Sequence, residues 1–222
     1  MMQPAFWSGN QMMLQKAGCH IIAPKCNSCG IITKKKGEKR MLGLKRGEVT
    51  LLPHNEEWRT EAERLMRILE KVLGGTACDI RHVGSTAVRT IAAKPIIDIA
   101  VGVSRLGDVR AFDSELEKNG IIFRGEDIKG QLLYVTGDFE NDTRLSHIHI
   151  VPYGKEAWKN YISFCEYLNA FPDEAKRYES LKFRLARDFP HDRTAYTQGK
   201  EKMVDSLIKK AVKWKYKGGG EI

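Results

Sequence analysis

Apolar residues recur across positions 56–73 at the three-and-four spacing of one helix face: Trp58, Ala62, Leu65, Met66, Leu69, Val72 and Leu73. Asn55 precedes them as an N-cap, Glu56 and Glu57 occupy the first turn where acids suit the helix dipole, and Gly74-Gly75 closes the run. The pattern predicts an amphipathic helix with a buried stripe. Residues 96–103 behave differently. They are apolar at nearly every position, which marks a strand buried on both faces, and a single acid, Asp98, stands inside the run.

Shorter apolar stretches predict strands over 49–52 (stopped by Pro53), 78–83, 121–124, 131–136 and 146–151. Helices are predicted over 108–118, 155–170, 173–188 and 193 to about 215, with Pro172 and Pro190 punctuating the last three. The order is strand, helix, two strands, helix, three strands, three helices. It specifies an α/β (α+β) chain: a mixed β-sheet flanked by helices, with a C-terminal helical cluster.

Composition adds limits. With 42% apolar and 29% charged residues over 222 positions, the chain is an ordinary globular one and excludes collagen-like or largely disordered classes. No window approaches eighteen consecutive apolar residues, so no membrane partner is expected, and without a signal pattern the expected location is cytoplasmic. The net charge of +9 is concentrated at one end, since residues 1–40 alone carry +6. A nucleic-acid partner is therefore not expected, because the charge excess belongs mostly to a leader. That leader (1–40) is read as disordered or spurious, ahead of one domain over 41–215 and a flexible tail over 216–222. Lys36-Gly37-Glu38 can be encoded by a ribosome-binding sequence placed before the Met41 codon. Cys26 and Cys29 have zinc-ligand spacing, but no second Cys-x-x-Cys follows, and the five cysteines do not suggest a disulfide framework.

Three elements could carry chemistry. Gly84-Ser85-Thr86 follows a strand, where glycine permits a tight turn and amides with hydroxyls make an anion pocket. Asp98 in an apolar strand needs a partner such as Arg81, Lys94 or a backbone amide, or else a bound cation such as magnesium. His147 and His149, two apart on a strand, project to one face and suit a divalent metal or a phosphate.

Gly-Ser followed thirteen positions later by an acid in a hydrophobic strand resembles the nucleotidyltransferase superfamily signature. The likeness to one family goes further. Met41 to Gly47, Val49 to Asn55 with Trp58, the run His82-Val83-Gly84-Ser85-Thr86-Ala87-Val88, the run Ala92-Ala93-Lys94-Pro95-Ile96-Ile97-Asp98-Ile99, His147-Ile148-His149-Ile150 and Ala195-Tyr196-Thr197 with Lys200 together resemble GrpB-family proteins, over about residues 41–213. A related domain is fused to some dephospho-CoA kinases. The resemblance implies a nucleotidyltransferase-like fold and a metal-dependent nucleotidyl- or phosphoryl-transferase acting on a small acceptor. Under that reading Asp98 and Ser85 are catalytic, and Asp98, His147 and His149 hold a divalent metal, magnesium or manganese in preference to zinc. Gly84, Ser85, Thr86, Lys94, Lys182, Tyr196 and Lys200 seat a nucleoside triphosphate or a phosphorylated small molecule. Two departures stand out. Ala100 occupies the position of a second acid two residues after Asp98, and Arg89 stands where the family usually has proline. Ala100 favours a second reading, a catalytically inactive nucleotide- or phosphometabolite-binding module.

Overall fold

The computed structural model describes residues 42–216, so the leader and the tail beyond residue 216 lie outside the described residues. Six strands form one mixed sheet: β1 (Leu44–Lys45), β2 (Ala77–Val83), β3 (Ile97–Val103), β4 (Ile122–Ile128), β5 (Gln131–Asp138) and β6 (Thr143–Pro152). Their order is β2-β3-β6-β5-β4, with β1 beside the start of β6. The β3–β6 pair is parallel and the other pairs are antiparallel. Every residue of β3 is buried, as its unbroken apolar run requires.

Alternation along β3 sorts the two layers. Ile97, Ile99 and Val101 face the core with Ile148 and Ile150 of β6, under helix α1 (Glu56–Leu73). Asp98 and Ala100 point the other way, toward α4 (Glu156–Ala170), α5 (Pro172–Asp188) and α6 (Arg193–Tyr216). On α1 the predicted stripe is the buried one: Trp58, Ala62, Leu65, Leu69 and Leu73. Asn55 Oδ1 accepts from the Glu57 amide at 2.8 Å, and Gly74 ends the helix with a positive φ of 52°.

Two elements differ from the sequence pattern. Residues 49–52 do not enter the sheet. Leu52 makes one isolated bridge with Ala93, and the Val49 amide donates to the Pro190 carbonyl at 2.9 Å. Pro53 stops the segment, and Val49 is buried against Leu185 and Tyr196 of the C-terminal helices instead of a strand neighbour. The helix expected over 108–118 is broken into α2 (Leu106–Val109) and α3 (Asp113–Lys118), joined by a 3-10 turn. Asp113 sits at this junction, accepting from Arg110 and, at 2.6 Å, from the Tyr134 hydroxyl of β5. That ties the break to the sheet.

Cap and core should separate in urea unfolding. Leu65→Ala is expected to cost about 2–5 kcal/mol and Asn55→Ala about 1 kcal/mol. Equal losses would show that α1 is not held mainly by its buried stripe.

Candidate functional site

The site lies where β2 ends and β3 begins. Val83 pairs with Asp98, and Asp98 pairs in turn with His147 on β6. After Val83 the chain reverses through Gly84 at a φ of +72°, and a Cβ there would fall 2.4 Å from Asp98 Oδ2. Only glycine lets the backbone cross the carboxylate at this height and with this sign of φ. Ser85–Ala87 then form a single 3-10 turn. The turn is pinned from the helical side. Cys165 Sγ donates to the Gly84 carbonyl at 3.3 Å, and the Ser85 hydroxyl shares a hydrogen bond with the Tyr178 phenol.

Asp98 is 8% exposed. His147 Nδ1 donates to its Oδ1 at 3.2 Å, and His149 Nε2 lies 3.8 Å from the same oxygen. Burial pushes the Asp98 carboxyl up, but its contacts with His147 and His149 outweigh it and hold the group well below the usual carboxylate range. Burial pushes His147 down more strongly than Asp98 raises it, so its ring is neutral near pH 7. With Nδ1–H on Asp98, its Nε2 is the acceptor, and Arg193 Nη2 approaches it at 3.4 Å. The His149 ring stacks on Tyr161, with centroids 5.0 Å apart.

Cations surround this one carboxylate. Lys94 and Lys200 both stand over the Tyr196 ring, at 5.0 and 5.4 Å from its centroid. Burial, then the charges of Lys200 and Arg193, push Lys94 well below the usual ammonium range. Burial also brings Lys200 down to about 8 and Lys182 down to about 7. Lys94, Lys200 and Arg193 all feel the charge of Asp98, and the balance favours an anion.

The structure thus brings Asp98, His147, His149, Gly84, Ser85, Lys94, Tyr196 and Lys200 together. Two residues take other roles. Lys182 is 1% exposed and its Nζ donates to the Ala92 carbonyl, while Glu179, one turn earlier, accepts from the Ala92 amide. Lys182 therefore staples the segment that carries Lys94. Thr86 turns away, its hydroxyl 3.0 Å from His82 Nε2, and lines a separate cleft of about 300 Å³ with His54, Arg59 and Arg89. Asp98, His147 and His149 meet as one group, with His147 hydrogen-bonded to the carboxylate and His149 beside it. Among the described residues no group of three His, Cys, Asp or Glu side chains is arranged to hold a metal ion. Sequence reasoning missed Arg193 and Tyr178. Arg193 had a local signal, because Asp192 caps the last helix through the Ala195 amide at 2.9 Å and fixes the next residue at its mouth. Tyr178 had none, being one aromatic among several on a helix.

Comparison with known proteins follows the same residues. The profile of the GrpB protein family matches residues 48–210. A glutamate-rich protein GrpB of Alkalihalophilus pseudofirmus is 41% identical over 171 residues, 76% of this chain and 98% of its own length. The crystal structure of the conserved protein GrpB from Enterococcus faecalis aligns with a TM-score of 0.69 at 28% identity, covering 74% of this chain and 98% of that one. At greater distance, a dephospho-CoA kinase of Mycolicibacterium paratuberculosis is 25% identical over 194 residues, 77% of this chain and 48% of its own length.

Gly84→Ala tests the close approach over Asp98. It is expected to lose about 1–3 kcal/mol of stability, the range for a strained backbone position, measured by thermal or urea unfolding. A neutral substitution would mean that the turn does not rest on the carboxylate.

Proposed function

The chain belongs to the GrpB family, and from that premise we propose that its cleft seats a phosphoryl group of a nucleotide and transfers the nucleotidyl or phosphoryl group to a small-molecule acceptor. The observation that carries this reading is the meeting of the Asp98–His147 pair, the Gly84–Ser85 turn and the cations Lys94, Lys200 and Arg193 in one place. The cations neutralise the phosphoryl oxygens, and the Ser85 hydroxyl donates to one of them. Neutral His147 takes the proton of the acceptor hydroxyl at Nε2, and Asp98, on Nδ1–H, stabilises the imidazolium that forms. As substrate enters, Arg193 moves from Nε2 to a phosphoryl oxygen. The acceptor oxygen–phosphorus bond forms as the bond to the leaving group breaks, which is pyrophosphate when the nucleotidyl group moves and nucleoside diphosphate when the terminal phosphoryl group moves. Free Cys78 and Cys165 suit a reducing, cytoplasmic setting.

A divalent metal is the usual aid to such chemistry, but the donors here do not fit a resident two-metal clamp. Ala100 supplies no second carboxylate, Asp98 Oδ1 is engaged by His147, and the neighbours are cationic. Ala100 also favours the second reading, a module that binds a nucleotide or phosphorylated metabolite without turnover.

Purified protein incubated with nucleoside triphosphates and an acceptor panel, in EDTA and in magnesium or manganese, separates the two. Transfer predicts release of pyrophosphate or of nucleoside diphosphate that falls by about a hundredfold or more in His147→Gln. Binding without release across the panel would leave the module. Asp98→Asn is expected to tighten nucleotide binding severalfold in EDTA, because it removes a negative charge that acts on Lys94, Lys200 and Arg193. Weakened binding would mean that the carboxylate acts through a cation. Lys200 carries its charge below about pH 8 and loses it above. Affinity for inorganic phosphate should therefore fall as pH rises through 8, and this fall should flatten in Lys200→Met.

A further inference from the structure

A second group of cations continues from the cleft along the start of β6. Register places Arg144 opposite Leu44 of β1 and Gly137 of β5, and the Arg46 amide donates to the Asp142 carbonyl at 3.0 Å. Arg124 on β4 reaches the same spot. Its guanidinium and that of Arg144 both stand over the Phe139 ring, with Cζ at 4.9 and 5.0 Å from the centroid. Phe139 is 40% exposed at the surface of this group. Its ring draws two guanidiniums together without neutralising either.

Arg144 sits below the usual guanidinium range, first through burial and then through the charges of Arg124, Arg46 and Arg193, with Asp142 as the opposing acid. Arg193 is lowered by burial and by Arg46, with Asp98 opposing. Moreover, Arg144 Nη1 is buried and makes no hydrogen bond within the described residues. A buried guanidinium N–H without an acceptor is costly, and planar donors in this number match phosphoryl oxygens in pairs. Arg193 belongs to both groups, since its Nη2 lies at His147 while Arg46 and Arg144 act on it or are acted on by it.

We propose that Arg46, Arg124, Arg144 and Arg193 form a second anion subsite that receives a further phosphoryl group of the ligand held in the cleft, so that the ligand class is one carrying at least two phosphoryl groups. The subsite rests on the reading of the cleft as a phosphoryl site. It goes beyond that reading by naming the side chains that receive the second phosphoryl group. A monophosphate fills the lysine-lined cleft and leaves the arginines uncompensated, whereas a di- or triphosphate satisfies both, with Arg193 between them.

The test is calorimetric titration of AMP, ADP and tripolyphosphate at fixed ionic strength in EDTA. The wild-type protein is expected to bind ADP about tenfold more tightly than AMP, the scale of one added set of charge-assisted hydrogen bonds. In Arg144→Gln and in Arg124→Gln, a separate variant at an exposed position, the ADP:AMP ratio should drop to about two or less. Thermal unfolding would check that each variant is folded. A ratio retained in both variants, or absent from the wild type, overturns the subsite. Tripolyphosphate carries no base and gives an independent readout: its affinity should fall severalfold in both variants, and an unchanged value overturns the proposal. Should AMP fail to bind while tripolyphosphate behaves as stated, the nucleotide reading of the cleft fails and the arginine subsite stands.

Discussion

One buried carboxylate organises the functional half of this molecule. Asp98 sits in a strand whose every residue is buried, where an unpaired charge would be costly. Glycine alone allows the β2–β3 turn to cross it, His147 donates to it from the parallel neighbour, and a ring of lysines and an arginine supplies the surrounding field. Each of these requirements fixes another element. The turn must be tight and β6 must lie beside β3. The C-terminal helices must also bring their cations back over the sheet. The fold and the site are therefore one problem with one solution, seen from the two faces of β3.

The sequence was legible where a feature depends on local pattern. The stripe of α1, its Asn55 cap and the apolar run of β3 are written in spacing alone, as is the shared face of His147 and His149. It was less legible where a partner comes from far along the chain. Val49 to Leu52 has strand composition, yet its neighbours are Ala93, Pro190 and Tyr196, and none of them could be foreseen from the segment itself. Lys182 shows the same limit in the site. A lysine on a C-terminal helix that could close over a phosphate invites a ligand role, but its ammonium meets a backbone carbonyl ninety residues away. Arg193 was overlooked because a first helical residue carries no periodicity, and its meaning arises only when β6 brings His147 to it.

The departure at Ala100 reads differently once the surroundings are known. A second acid at that position would face the same layer as Asp98 and help to hold cations in place. Here, lysines and arginines already occupy the margins of the cleft, and burial first, then the charge of neighbouring cations, lowers the basicity of Lys94, Lys182 and Lys200. Under the proposed reading, Ala100 leaves Asp98 as the acid of the strand, beside the Gly-Ser bend and a cationic margin.

The staple at Ala92 has a mechanical consequence. Both peptide groups of that single residue are gripped by α5, the amide by Glu179 and the carbonyl by Lys182, and α5 also carries Tyr178, which touches Ser85. The segment bearing Lys94 and the bend bearing Ser85 are thus fastened to the same rod. If the helical layer rocks against the sheet, these two walls travel together as a rigid jaw, while Asp98 and His147 stay behind on the strands. Opening and closing would then change the gap between jaw and floor without disturbing the spacing within either.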